Sequence, residues 1–487
     1  QTLRGAMDWS HELLTPAEQK LFRRLAVFAG GTTLEGAEAV CDTKGDLGVD
    51  ILEGMASLVD KSLVQQREAG SGEPRFVTLE TVREYGLEHL AAQGEEAATR
   101  RADAAYCLVL AEELDAADAA ATRGQAERLD HLEAEHDNLR AALDWLVARG
   151  EAEWCLRLGA ALFHFWERRD YLTEGREQLA RALGLAGATP SKARSRALFA
   201  AGVLAGSQGD YASNQRLMEA SLAMARQLGD KQGIAVSLNA LAANARDRED
   251  VAGARALFEE GLAVWREAGD PQAVARVLSN LANVARLQGD YQHAQALYQE
   301  CLVAFRELGD RNGVAWSLDH LGDVARDQGD AGGARTLYEA SLSAFRELGD
   351  RWGLAESLAD LGSLAQEQGD YATAHALYGQ SLRTFQELDH KRGVARLLEC
   401  FASSAARRQQ PECALRLAGA AAALRHEIGA ALAPAERARL EDTLAAARAA
   451  LDHARGTSAW LEGWALPADK ATEEALATQA GRSASEA

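Results

Sequence analysis

Leucine and alanine return along the middle of this chain at helical spacing, and the pattern as a whole returns every forty residues without an insertion. The stretches that open at Gly229, Gly269, Gly309 and Gly349 read GDKQGIAVSLNALAANARDRED, GDPQAVARVLSNLANVARLQGD, GDRNGVAWSLDHLGDVARDQGD and GDRWGLAESLADLGSLAQEQGD. Each leads into a second half such as YQHAQALYQECLVAFREL. Gly-Asp pairs at 209–210, 289–290, 329–330 and 369–370 punctuate the same region between those openings. Glycine accepts the left-handed conformation that ends a helix, and the aspartate side chain caps the next one. The interval between pairs leaves room for about 17 helical residues, about 25 Å. Each unit is thus an antiparallel helix pair. Self-similarity of this period predicts an all-α chain whose centre is an α-solenoid, a stack of pairs with an extended concave face.

The columns of the stack predict its packing. The first helix of each pair carries Leu198, Leu238, Leu278, Leu318, Leu358 and Leu398, and four residues later Gly202, Ala242, Ala282, Gly322, Gly362 and Ala402. The second carries Ala254, Ala294, Ala334, Ala374 and Ala414, then Phe258, Tyr298, Tyr338 and Tyr378, then Gly261, Cys301, Ser341 and Ser381. Small residues let helix axes approach, and the aromatic fills the space between neighbours. This order of small and aromatic positions resembles the tetratricopeptide repeat (TPR), here with helices longer than the usual period of about 34 residues gives. The ends depart from the pattern. Glu249-Asp250 stands where Gly-Asp is expected, Gln409-Gln410-Pro411 replaces a turn, and Arg425 occupies the column of Phe345 and Phe385. The repeats are placed at 191–410, capping helices at 411–466, and a polar tail, expected to be disordered, at 467–487.

Residues 1–93 follow a different pattern. Helical periodicity covers about 2–13, 16–28, 33–41 and 48–60, and Thr15 and Pro16 supply a helix start. Two β-like runs, Leu63–Gln66 and Arg75–Leu79, flank the turn-forming AGSGEP, and a helix follows over Glu80–Ala92. Helices followed by a hairpin predict a small winged-helix domain; a helical bundle with an added hairpin is the alternative. The helix before the hairpin would be the DNA reader, yet it sets Asp50, Glu53 and Asp60 against Lys61 alone. Base and phosphate contacts need Arg, Lys, Asn or Gln, so a structural role is expected and no direct nucleic-acid contact. Residues 94–190 read as an irregular helical bridge.

Composition narrows the function. Seventy-three acidic against 52 basic residues give a net charge of −21, which repels phosphate backbones. Six cysteines lie scattered without metal or disulfide spacing, the usage of a reduced, cytoplasmic protein. No apolar run reaches membrane-spanning length. His11-Glu12 lacks the second histidine of a zinc-protease helix, no GxSxG elbow occurs, and no GxxxxGK[ST] phosphate loop is present. The chain is expected not to be an enzyme and to hold no cofactor or metal of its own.

Binding is the better expectation. One inner column of the solenoid reads Gly206, Arg246, Arg286, Arg326, Gln366 and Ala406. Three stacked arginines could hold an anionic ligand or a partner's carboxylates; the competing reading pairs them with Asp247 and Asp327 or with helix dipoles. The neighbouring positions Asn239, Arg276, Ser279, Asn283, Trp316, Asp319 and Asp323 complete a polar groove with one aromatic platform. Trp316 reads as core, groove lining or ligand-stacking surface.

Three passages, LRGAMDWSHELLTPAEQKLFRRLAVFAGG, LVDKSLV with RFVTLETVREYGLEHL, and LEAEHDNLRAALDWL with FWERRDYLTEGR, resemble the region that follows the nucleotide-binding core in bacterial STAND-class (NB-ARC-like) signal-transduction ATPases of the AfsR, LuxR and MalT-like type. SAWLEGWALPADKATEEAL is similar to the segment that closes the sensor in such proteins. The resemblance implies a nucleotide-binding domain before Gln1 that takes ATP or ADP, a winged helix that relays nucleotide state, and a TPR sensor. That sensor would bind a small-molecule inducer or a protein partner and permit ligand-induced homo-oligomers. Gln1 opens directly into a helical pattern, as expected of a fragment of a longer polypeptide. A stand-alone TPR scaffold for peptides or proteins is the alternative.

Overall fold

The computed structural model describes residues 3–68, 74–120, 125–185, 187, 189–432 and 434–477. The chain divides into two compact units, one of residues 1–165 with 178–189 and one of 166–177 with 190–487.

The first unit opens with α1 (Leu3–Glu12), α2 (Pro16–Leu25), α3 (Leu34–Cys41) and α4 (Ile51–Asp60), then β1 (Gln65–Glu68), β2 (Pro74–Val77) and α5 (Glu80–Ala92). Thr15 and Glu18 form a reciprocal capping box at the start of α2: the Glu18 amide donates to Thr15 Oγ1 at 3.3 Å and the Thr15 amide to Glu18 Oε2 at 2.7 Å. The strands pair antiparallel with Gln65 opposite Val77, and a bridge from Thr32 to Phe76 extends the wing by one residue. Leu21, Phe22, Met55, Leu58 and Leu90 fill the core beneath. The structure corrects two expected boundaries. Helix α2 ends at Leu25, where the tighter Val27-to-Arg24 and Phe28-to-Leu25 amide bonds take over. Strand β1 begins at Gln65, because Leu63 and Val64 are both buried in sequence and their amides turn back to the Leu58 carbonyl. Helices α6 (Glu96–Ala120), α7 (Gln125–Ala134), α8 (His136–Arg149), α9 (Ala152–Arg168) and α10 (Leu172–Leu185) follow.

The second unit carries the helix pairs α11 (Lys192–Ser207) and α12 (Tyr211–Leu228), α13 (Lys231–Asp247) and α14 (Val251–Ala268), α15 (Pro271–Leu287) and α16 (Tyr291–Leu308), α17 (Arg311–Asp327) and α18 (Ala331–Leu348), α19 (Arg351–Glu367) and α20 (Tyr371–Glu387), and α21 (Lys391–Arg407) and α22 (Pro411–Ile428). The Gly-Asp turns close one helix and open the next. Gly309 sits at φ 69° and the Asp310 amide returns to the Phe305 carbonyl at 2.9 Å, while the Asp310 carboxylate accepts the Gly313 amide at 2.9 Å. Where the pattern lapses the backbone is unchanged: Glu249 takes φ 65°.

The aromatic and small columns meet as their spacing requires. Tyr298, Tyr338 and Tyr378 are buried almost completely. A Cβ on Gly322 would lie 2.8 Å from the Tyr338 ring, and one on Gly362 would lie 2.7 Å from the Tyr378 ring. Four of the six pairs are also pinned by a bond from the small residue of the second helix to a carbonyl of the first: Ser221 to Ser195 at 2.9 Å, Cys301 to Ala275 at 3.3 Å, Ser341 to Ala315 at 3.0 Å and Ser381 to Ala355 at 2.7 Å. Successive first helices, such as α15, α17, α19 and α21, touch one another, whereas the second helices of neighbouring pairs stand further apart. The first helices therefore line the inside of the curve.

Past α22 the chain forms α23 (Pro434–Ala449), α24 (His453–Trp464) and α25 (Ala468–Ala477). Helix α24 lies so close to α22 that a Cβ on Gly463 would fall 1.9 Å from the Arg416 carbonyl oxygen. The expectation of a disordered tail over 467–487 is corrected as far as Ala477. Ala471, Thr472 and Ala475 give α25 a buried stripe that seats on α20 to α22, with Arg416 Nε donating to Glu474 at 2.6 Å. Residues 478–487 lie outside the described residues. Still within this unit, Arg392 at the start of α21 donates to Asp170 Oδ1 at 3.0 Å and to the Glu167 carbonyl at 2.7 Å, and Gln208 packs on Gly429.

Two stability measurements check this packing. Tyr338→Ala is expected to cost about 3–5 kcal/mol in urea unfolding, against about 0.5 kcal/mol or less for Leu287→Ala on the surface. Glu249→Gly should raise stability by about 1 kcal/mol, since it relieves a left-handed side-chain position.

Candidate functional site

The inner surface is built from the residues that each first helix turns away from its partner. On α15, α17, α19 and α21 these positions are strongly charged, and the forty-residue register stacks them in rows. Asp323 is the hub. It accepts the Tyr338 hydroxyl at 2.7 Å and faces Arg286 at 3.6 Å and Arg326 at 3.3 Å. Arg286 also binds Asp327 at 2.9 Å, and Arg326 lies 4.0 Å from Asp360 and over the Tyr338 ring. Further along, Arg396 pairs with Glu356, and Arg425 pairs with Glu399 at 2.6 Å. Arg425 replaces an aromatic of its column because the carboxylate opposite supplies its partner.

Each residue singled out from the sequence has a defined place. Arg246 binds the adjacent Asp247 at 2.8 Å. Arg286 and Arg326 are about four-fifths buried; Arg286 pairs between helices with Asp323 and Asp327, and Arg326 pairs within its own helix with Asp323. Asn239 accepts from Asn280 at 2.9 Å, Asn283 is half-buried, and Arg276 is exposed. Trp316 stacks edge-on against Phe345 with ring centres 4.9 Å apart and tilts against Trp352 at 5.1 Å. Asp319 does not stand open in the groove: it is 3% exposed and accepts the Ser357 hydroxyl at 2.7 Å. The structure thus gathers Arg286, Arg326, Trp316, Asp319 and Asp323 and leaves Arg246, Arg276 and Asn239 towards the earlier repeats. It adds Trp352, Glu356, Asp360 and Arg396, which reading one column at a time passes over. The signal was in the register: Trp316, Glu356 and Arg396 share one column, and His320 and Asp360 share the next.

Burial perturbs these groups. It pushes the Asp319 carboxyl up to about 7, with Asp323 and Glu356 adding repulsion against the opposing Ser357 and Ser341 bonds. Burial likewise raises Asp360 well above the ordinary carboxylate value, and Asp319 and Asp323 reinforce it. Burial lowers His320, with Asp323 opposing it. Buried Cys301 is pushed up to about 12 and is a packing residue, not a nucleophile. Among the described residues no group of three or more His, Cys, Asp or Glu could hold a metal ion, and no helix is long and apolar enough to cross a membrane.

Several basic residues of the winged helix are engaged within the protein. Lys61 at the end of α4 is held by Glu18 at 2.8 Å. Burial would raise Glu18, but bonds from Lys61, Ser57 and Thr15 outweigh it and hold the carboxyl down to about 2. Arg24 spans Asp46 and Glu95. Arg75 on β2 turns inward: it binds Glu135 at 2.5 Å and the carbonyls of Gly30 and Gly31, while Asn138 donates to the same Gly31 carbonyl at 2.8 Å. Arg67 on β1 stays exposed.

The pairing of the arginine column carries a stability consequence. Arg286→Glu combined with Arg326→Glu places new carboxylates against Asp323, Asp327 and Asp360. Breaking such part-buried pairs costs about 3–5 kcal/mol, so the double variant is expected to melt well below the parent in a thermal scan, and Arg286→Lys to melt close to it.

Comparison with known proteins agrees with this architecture. The winged helix-turn-helix domain family matches residues 14–91, and the tetratricopeptide repeat family matches 233–307, 273–347 and 313–387. A protein of Mycobacterium tuberculosis described as an HTH-type transcriptional regulator is 34% identical over 254 residues, 50% of this chain and 28% of that protein. An uncharacterized protein of the same organism is 45% identical over 96 residues, 20% of this chain and 24% of its own length. The chain thus spans less than a third of these curated relatives. Among solved structures, a Signal Transduction ATPase with Numerous Domains (STAND) protein with a tetratricopeptide repeat sensor, from Pyrococcus horikoshii, aligns with 97% of this chain and 67% of its own at 14% identity and a TM-score of 0.48. A Rap protein complexed with Competence and Sporulation Factor aligns with 71% of this chain and 99% of its own at 14% identity and a TM-score of 0.45. The chain is a winged helix-turn-helix domain joined to a tetratricopeptide-repeat solenoid.

Proposed function

We propose that this chain is the sensor portion of a STAND-type signal-transduction or transcriptional regulator, acting in the cytoplasm, with the inner face of the solenoid as its receptor surface. The observation that carries the reading is the row of half-buried charged and aromatic side chains, Arg286, Trp316, Asp323, Arg326, Glu356 and Asp360, on the inside of the curve. A fold that needed only its own stability would place apolar residues there, because buried ion pairs gain little net stability. A surface with fixed, alternating charge instead discriminates between partners. We favour a protein or peptide partner over a small inducer, since the groove runs across several repeats and offers asparagine and serine side chains to an extended backbone.

The winged helix is the arm in this reading. The Arg75, Glu135 and Asn138 bonds tie its wing to α8 and to the end of α7, so displacement of those helices moves the domain as a body. An ATP- or ADP-binding domain belonging to the same polypeptide would receive that displacement. Partner binding that favours one arrangement would then release the regulator for assembly into homo-oligomers. Neither unit carries out chemistry in this scheme, and the winged helix makes no base contacts.

Two experiments test it. A photo-reactive benzoylphenylalanine at Asn283, inside the groove, is expected to cross-link a partner in cells making the full polypeptide, and the same group at exposed Val303 is not. Equal capture at both positions, or none at Asn283, removes the receptor reading. In a mobility-shift assay at moderate salt the chain should bind no duplex more tightly than the non-specific range, about 10⁻⁶ M; sequence-specific binding would restore the winged helix as a DNA reader.

A further inference from the structure

The outer surface of the solenoid holds one kind of cleft in two conditions, filled and open. Helix α25 lies against the second helices α20 and α22 and the first helix α21. Its Ala471 and Ala475 join the core of Leu382, Leu398, Phe401, Ala405 and Leu417. At the rim the Gln386 side-chain amide donates to Thr472 Oγ1 at 2.8 Å, and His375 Nε2 stands 3.3 Å from the Ala475 carbonyl oxygen. A Cβ on Gly379 would lie 3.1 Å from Leu476. Gln386 is near the end of α20 and His375 near its start, so α25 runs antiparallel to it.

Three repeats earlier, the equivalent positions enclose a cleft of about 290 Å³ between α14 and α16. Leu262, Leu278, Leu281, Ala285 and Leu297 form its floor and are the register equivalents of the five residues beneath α25. Arg255, Glu259 and Arg266 stand at the rim where His375, Gly379 and Gln386 stand in the filled cleft. Leu297 is left half-buried, whereas its counterpart Leu417 is wholly buried. The side chains also leave this cleft unbridged. One repeat before it, Arg226 on α12 crosses to Glu260 on α14 at 2.5 Å, and Arg248 crosses to Gln215 at 2.7 Å. The same positions here are Arg266 with Glu300 and Gln288 with Arg255. Arg266 and Glu300 make no ion pair among the described residues, and Arg255 turns along its own helix to Glu259 at 2.9 Å.

We infer that the cleft between α14 and α16 receives a short helix from a protein partner, seated as α25 is seated, antiparallel to α14 with its alanines on the apolar floor. The changed rim residues specify the rest. Arg266 in place of Gln386 calls for a carboxylate where Thr472 stands. Arg255 in place of His375 supplies a cation to the carbonyls that end the helix. Glu259 in place of Gly379 takes up the space that Leu476 uses, so the partner carries a small residue there. The same clash disfavours α25 of a second copy, which is moreover buried in its own seat. This docking is separate from recognition on the inner face, and exposed Val303 does not line the cleft.

The test is fluorescence anisotropy on the whole chain with a fluorescein-labelled peptide of residues 467–477 carrying Thr472→Glu and Leu476→Ala. A control peptide carries Thr472→Lys and Leu476→Ala. The glutamate peptide is expected to bind at least about tenfold more tightly than the lysine peptide, although the net charge of −21 on the chain favours the lysine. In the chain, Arg266→Glu should reverse that preference, and Leu297→Glu should abolish binding by placing a carboxylate on the floor. Arg266 has no ion pair to lose, so its variant keeps the test decisive even where Leu297→Glu fails to fold. Gln386→Glu, at the seat of α25, should leave binding unchanged. Equal binding of the two peptides, no binding, or indifference to Arg266→Glu overturns the inference. Loss of binding in Gln386→Glu also overturns it, by showing that the peptide displaces α25. Equal or tighter binding of the unaltered 467–477 peptide overturns the partner and gives the cleft to a second copy.

Discussion

The close approach of first and second helices through Gly322, Gly362 and their counterparts governs the rest of this structure. The Tyr338 and Tyr378 rings fit there because no side chain occupies Gly322 or Gly362, and each ring then fixes how far one helix can slide along the other. Repeating that contact at a constant interval brings the inner positions of successive first helices into register. Without it, Asp323 could not meet Arg286 from the repeat before and Arg326 from its own helix at the same time.

The electrostatic character of the groove follows from that regularity. Equivalent positions on adjacent first helices are close enough that any charge placed in the repeat confronts another from the next. The sequence answers by alternating signs, and the alternation runs from Arg286 through Asp323 and Arg326 to Glu356 and Arg396. Most of these charges are satisfied within the protein, so the groove has a fixed pattern of potential with little freedom to rearrange. Asp319 and Asp360 carry the cost of this crowding, since burial and repulsion from neighbouring carboxylates raise both carboxyls above the ordinary range.

Much of this architecture was legible in the amino-acid order. The Gly-Asp turns place the helix ends, and the leucine, glycine and tyrosine columns name the packing faces, because each depends on local backbone chemistry or strict periodicity. What escaped was lateral. Reading one column gave Arg246, Arg286 and Arg326 as a cationic strip with Asp247 and Asp327 as competing partners, yet the contacts of Arg286 with Asp323 and of Arg326 with Asp360 join one repeat to the next and were not read from it. Trp352 escaped because it stands in the first turn of its helix, outside the inner positions considered. The helix at Ala468–Ala477 was hidden because its buried stripe consists of alanines and a threonine in an otherwise charged segment.

The bond between Arg392 and Asp170 gives the solenoid a property that open arrays lack. An array held only by contacts between neighbours can gain or lose a unit and simply become longer or shorter. Here a side chain near one end grips the turn near the other, and Gln208 meets Gly429 alongside it. The number of helix pairs is therefore set by geometry: one pair more or fewer would rotate Arg392 away from its carboxylate. Adding or removing a whole repeat would break that contact, whereas substitution on the inner surface leaves it intact.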